Sequence, residues 1–281
     1  MKKLIFAAIA AAALMGCESV DEQRDGDGQE REITFACGGF GVTGTTRGLE
    51  ADGRGMTDLW VMDYHEGELV QQVHQSGTDA DFGAPTMRLR TGGHQLCFVV
   101  SRGTGPSLDT DAHTIAWTRP SDTFHQSITL DVKPSSADQQ TVTLERVATR
   151  LRLTLTDEVP EDAATIYLRP AKWYTGMDYL SGEPSEAVTD YTSTVALPES
   201  ARGTTGLQMS IYGLSSAAQW TTDVALSSTD ADGALIGQGT IKSAPMRRNI
   251  ITNCTGPLFS SVTVGGIVLN TEWLPDVEVT W

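Results

Sequence analysis

Residues 147–156 (VATRLRLTLT) alternate strictly, with Leu151, Leu153 and Leu155 on one side of an extended chain and Arg150, Arg152 and Thr154 on the other. A β-strand repeats its side-chain direction every two residues, so this pattern presents one dry face and one wet face. The same period recurs along the chain in short apolar runs, bounded by turn residues at intervals of about eight to twelve, as in β-sandwiches. Residues 59–64 (LWVMDY) read as a strand that turns at residues 65–68 into 69–74. Residues 87–90 alternate, turn at 91–94 and return as 95–101. Ile128, Leu130 and Val132 share a face, as do Val142 and Leu144. Further strands are expected at 165–168, 194–197, 207–214, 220–228, 234–241, 248–253 and 262–269, with a hairpin turn at Asp230-Ala231-Asp232-Gly233. No stretch of about twelve residues places apolar side chains at i, i+3, i+4 and i+7. One or two short helical turns are expected in connections, for instance at residues 215–218.

Roughly fourteen strands exceed the seven to nine of one ordinary sandwich. The expectation is an all-β chain with two tandem sandwich domains, residues 33–145 and 146–281, dividing near Glu145 where the linker is short.

The start of the chain reads differently. Lys2 and Lys3 precede an apolar run of eleven residues at positions 4–14 (LIFAAIAAAAL), too short for a membrane span of about 20 residues and typical of an export signal. It ends in Leu14-Met15-Gly16-Cys17, which resembles the bacterial lipobox. That resemblance implies cleavage between Gly16 and Cys17 and acylation of Cys17, so that residues 1–16 leave and the mature chain is held by lipid. Residues 17–32 then form an acidic, solvated tether, with no apolar side chain after Val20 until Ile33. The acids beside Cys17 resemble the surface-export signals of Bacteroidetes lipoproteins. The whole chain has 36 acidic and 20 basic residues, a formal charge of −16. Without Lys2 and Lys3 the 36 acids face 18 bases, a net charge of −18. This excludes a non-specific nucleic-acid binder, and it opposes docking on anionic lipid through a basic patch.

Signals for catalysis fail on their context. Gly39-Phe40-Gly41-Val42-Thr43-Gly44 matches a dinucleotide fingerprint, but the Gly-rich run to Gly55 cannot start the helix that would hold a pyrophosphate. The five histidines (65, 74, 94, 113 and 125) form no zinc-protease pair, and Asp109-Thr110-Asp111-Ala112-His113 reads as a polar loop before it reads as a metal site. With Cys17 acylated, Cys37, Cys97 and Cys254 remain, none at metal-ligand spacing, and all three are expected to be structural. Trp60, Trp117, Trp173, Trp220 and Trp273 lie in or beside apolar strands and are expected in cores rather than in a sugar platform. No enzyme, metal or cofactor is expected.

Residues 57–64 (TDLWVMDY), 67–75 (GELVQQVHQ), 79–86 (DADFGAPT), 97–103 (CFVVSRG), 142–160 (VTLERVATRLRLTLTDEVP) and 269–273 (LNTEW), taken in order with the lipobox, resemble the fimbrillin superfamily of Bacteroidetes type V pili. The likeness is greatest to its fimbrillin-associated anchor branch. It implies two transthyretin-like Greek-key sandwiches and a lipoprotein of the outer membrane and fimbrium, whose partners are other fimbrial subunits joined by strand exchange. In shaft subunits of that family a trypsin-like protease cuts after an arginine and removes the first strand, and a neighbour's C-terminal strand fills the groove. Anchor subunits keep both strand and lipid. Here residues 33–42 are the candidate first strand and Arg47 and Arg54 the candidate cleavage positions, with a plain solvated loop as the other reading. Val277-Glu278-Val279-Thr280-Trp281 is either a donor strand or the last strand of its own domain. The rival reading is a glycan-binding surface lipoprotein, which an exposed row of aromatic side chains would favour.

Overall fold

The computed structural model describes residues 29–39, 55–260 and 268–270. These residues form nineteen strands and one 3-10 turn (Glu199–Ala201). The first strands in chain order are β1 (Glu30–Gly38), β2 (Asp58–His65), β3 (Glu68–Ser76), β4 (Thr86–Arg90) and β5 (Gly92–Ser101). After them come β6 (Thr104–Asp109), β7 (Thr114–Arg119), β8 (Thr123–Val132), β9 (Gln139–Thr143) and β10 (Glu145–Arg146). The second half contributes β11 (Ala148–Leu155), β12 (Thr165–Pro170), β13 (Gly176–Asp178), β14 (Ser193–Ala196) and β15 (Gln208–Leu214). It closes with β16 (Trp220–Thr229), β17 (Leu235–Met246), β18 (Ile251–Gly256) and β19 (Val268–Asn270).

Each half is a sandwich of two sheets, and the two have the same topology. In the first, the sheet β4-β1-β9 faces β8-β5-β2-β3, whose β8 edge is extended by β10. In the second, β15-β11-β18-β19 faces β14-β12-β16-β17. β1 corresponds to β11: each pairs antiparallel on one side and parallel on the other, with β9 and β18 as the parallel partners. The Leu residues of β11 are fully buried against Ile166, Leu168, Val224, Leu226 and Ile241 of the opposite sheet, as their alternation requires. Ile33 and Phe35 of β1 are buried in the same way against Leu59, Val61, Leu96, Phe98 and Val100. At about 25 cal/mol per Å² of apolar surface, such burial is what closes each pair of sheets.

A third sheet, β13-β7-β6, has no counterpart in the repeat. It covers the outer face of β2 and β5, where Trp60, Met62, Tyr64, Cys97 and Val99 meet Ile115, Trp117, Met177 and Tyr179. The β2–β5 sheet is therefore buried on both faces, and β2 reads LWVMDY rather than alternating. Because β13 belongs to the second half and β7 to the first, this layer binds the halves together.

Several expectations need correction. β4 and β5 do not form a hairpin: β4 pairs with β1, while β5 starts at Gly92 and lies between β2 and β8, so the chain changes sheets at Thr91. Residues 215–218 are not helical, and the one 3-10 turn among the described residues lies at Glu199–Ala201. β1 begins at Glu30, because Arg31 and Glu32 of the expected tether already pair with Leu89 and Arg88. β18 is displaced to Ile251–Gly256, since Asn249 adopts a left-handed φ of 59° and breaks the extended run before it. Strands β6, β7 and β13 were not anticipated.

Candidate strand-exchange site

The two equivalent sheets differ in one strand. β18 carries β19 on its outer edge, whereas β9 pairs with β1 and with no other strand among the described residues. The main-chain direction of β9 follows from its ladder. Thr34 N–H donates to Asp138 O (2.9 Å) and Leu144 N–H to Gly38 O (2.8 Å). Even-numbered residues of this segment therefore face β1, and the N–H and C=O groups of Gln139, Thr141 and Thr143 point outward. All three residues are exposed. Among the described residues the result is a short open edge able to accept one more strand.

β1 itself is tied on both sides. Phe35 N–H donates to Pro85 O (2.9 Å) and Cys37 N–H to Gly83 O (2.8 Å) beyond the start of β4. At its beginning Arg31 donates to Pro134 O (2.6 Å) and Ser136 O (2.8 Å) and pairs with Asp138, so one guanidinium fixes the loop between β8 and β9. At its end Gly39 has φ of 88°, and a Cβ there would lie 2.3 Å from Leu144 O, so only glycine lets the chain leave the sheet at this point. Burial pushes the Cys37 thiol up to about 12, which leaves it unreactive. Burial also raises Cys97 and Cys254, each to about 11, and all three thiols are free.

Gly16, Cys17, Arg47, Arg54 and residues 277–281 lie outside the described residues, as does the expected strand from Phe40 onward. The other sequence candidates do not converge. Asp109 Oδ1 accepts N–H groups from Asp111 (3.0 Å) and Ala112 (2.9 Å), closing the β6–β7 hairpin. His113 turns away from them, edge-on to Tyr64 and Tyr179. His94 is buried against Asp63 (2.7 Å), His74 stacks on Trp60 and pairs with Asp58 (2.8 Å), and His125 donates through Nε2 to Tyr179 O (2.8 Å). Trp60, Trp117 and Trp173 are core residues, and Trp220 packs against the second core.

The architecture is that of two tandem two-sheet β-sandwiches. A candidate adhesin from Bacteroides ovatus shares it at a TM-score of 0.51 and 11% identity, over 82% of this chain and 88% of that one. A second candidate adhesin from the same species gives 0.48 at 14% identity, over 89% and 96% of the two chains. The tip fimbrial protein Mfa3 of Porphyromonas gingivalis gives 0.41 at 12% identity, over 85% and 97%. The fold agrees with the fimbrillin resemblance read from the sequence. The chain belongs to a family of unknown function, DUF6562, whose model matches residues 107–280. No curated protein matches it.

Proposed function

We propose that this chain is a non-enzymatic cell-surface lipoprotein that acts as a fimbrial anchor or assembly subunit. It would be attached to the outer membrane through acylated Cys17 and joined to other subunits by β-strand complementation. The reading divides the mature chain near Glu145 into two units of 33–145 and 146–281. The observation that carries it is a strand missing among the described residues: there the β4-β1-β9 sheet is one strand short of its β15-β11-β18-β19 counterpart, and the open edge belongs to β9. A strand from a neighbouring subunit would gain main-chain hydrogen bonds there, with side-chain pockets setting register. The alternating segment 277–281 (VEVTW) has the pattern of such a donor.

The test is mass spectrometry of the N-terminus of the protein recovered from cells and from sheared fimbriae. A chain that starts at lipid-modified Cys17 and co-purifies with fimbriae supports an anchor. A start at Gly48 or Gly55, after Arg47 or Arg54, replaces the anchor by a shaft subunit. Absence from fimbriae overturns the assembly role.

A further inference from the structure

The chain carries sixteen more negative than positive charges, yet one cleft between its halves is lined by four arginines and, among the described residues, by no carboxylate. Arg150 and Arg152 come from the wet face of β11. Arg102 follows β5, and Arg119 ends β7. The cleft has a volume of about 620 Å³, within the range of small-ligand sites.

Neutral groups orient Arg150 and touch Arg102. Arg150 Nε donates to Ser210 Oγ (2.9 Å), and Arg102 Nη2 donates to the Tyr212 hydroxyl (3.0 Å). The Arg102 and Arg150 guanidiniums lie 5.3 and 5.2 Å from the centre of the Tyr212 ring. Arg119 acts on Tyr191 across the cleft: burial raises that phenol, and the guanidinium draws it back down. Burial and the neighbouring Arg150 lower the Arg152 guanidinium, the mark of a cation crowded by another cation. None of Arg119, Arg150 and Arg152 has a carboxylate within ion-pair distance among the described residues. The Ser210 hydroxyl and the Tyr212 ring orient Arg150 without neutralising it, and among the described residues the charges of Arg119, Arg150 and Arg152 are left for an anion.

Between the arginines the lining supplies hydroxyl and amide side chains, Thr104, Ser121, Ser193 and Gln208. A compact anion such as phosphate would use two guanidiniums and leave these groups idle. A ligand that presents oxyanions and neutral hydroxyls together uses both sets. We infer that the cleft between β11 and the β5–β6 and β7–β8 connections binds an acidic saccharide, with its carboxylate or sulfate groups on the arginines and its hydroxyls on the Ser, Thr and Gln side chains. This goes beyond the assembly role and does not depend on it.

The test is isothermal titration of the full mature chain with trigalacturonate, a sulfated chondroitin tetrasaccharide, neutral maltotriose and hexaglutamate. Saturable binding of either acidic saccharide is expected, weakening as salt rises, with no binding of maltotriose. Comparison of the two acidic saccharides tells carboxylate from sulfate recognition. Arg152→Ala and, independently, the exposed Arg119→Ala should each lower the affinity about tenfold or more without lowering the melting temperature. Arg152→Lys should restore only part of the loss, because it keeps the charge and loses the fork. No binding of either acidic saccharide, equal binding of maltotriose, tighter binding of hexaglutamate, or affinity indifferent to both alanine variants would overturn the inference.

Discussion

One oxygen of Asp157, Oδ2, accepts backbone N–H groups from Leu258 (2.9 Å), Phe259 (2.5 Å) and Ser260 (2.8 Å), together with the Ser260 hydroxyl (3.2 Å). Asp157 follows β11 and residues 258–260 follow β18, so a single carboxylate clamps the ends of two parallel strands. Burial alone would raise its pKa, but the N–H groups of Ser260, Phe259 and Leu258 outweigh it and hold the carboxyl below its ordinary value. A depressed native value means that the stabilisation is complete above the unfolded value of about 3.9 and is lost as pH falls through the lower native one. Asp157→Asn should therefore cost about 1–3 kcal/mol at neutral pH. The difference from wild type should shrink as pH drops below about 4, which urea titrations at pH 7, 5 and 3 would show. A difference independent of pH would remove the charge from this account. Nothing in the spacing of Asp157 announces the clamp, because its partners are main-chain groups about a hundred residues away.

At the level of elements, β1 is the strand on which the assembly reading turns. It lies at the centre of its sheet, and it places Ile33 and Phe35 wholly inside the first core. Phe35→Ala should cost about 3–5 kcal/mol, by lost transfer energy and the cavity left beside Phe98. Val70→Ala on exposed β3 should stay within about 0.5 kcal/mol. Chemical denaturation of both variants checks the contrast, and equal losses would mean that β1 is not integral to the sandwich. The same elements show what periodicity can and cannot reveal. β11 was legible because one face is dry and the other wet, and that alternation also separated Arg150 and Arg152 from the core. The sheet partners of β4 were not legible, since alternation assigns a face and not a neighbour, and Gly92 and Gly93 suggest a turn whether the chain folds back or crosses over. β6 escaped notice because none of its residues is fully buried, and three-residue β13 is too short to show any period. Arg102 precedes β6 and Arg119 ends β7, so that half of the cleft depends on a hairpin whose first strand shows no buried face.

On the scale of the whole molecule, the halves meet over a seam that mixes apolar and polar contacts. The hydroxyls of Tyr64 and Tyr179 are 2.7 Å apart, and His125 of β8 donates to Tyr179 O (2.8 Å) from the first half into the second. A carbonyl can only accept, so His125 carries a proton on Nε2, and burial disfavours a second one on Nδ1. Burial, with the Arg248 charge as a lesser cause, lowers its pKa, and the Tyr179 carbonyl and the acids Asp178 and Glu145 only partly offset this. The sign of the pH effect follows. Below about 6.5 the unfolded histidine takes up a proton that the folded one refuses, so the unfolded state gains protons and stability falls with pH. The effect is absent above the unfolded value and grows as pH drops toward the lowered native one. Wild type should thus lose stability between pH 7 and pH 5. His125→Gln, whose amide can still donate to Tyr179 O but cannot titrate, should lose less over the same interval even if it is weaker at pH 7. Guanidinium midpoints for both proteins at pH 7, 6 and 5 would measure the two slopes, and parallel slopes would show that this seam does not sense pH through His125.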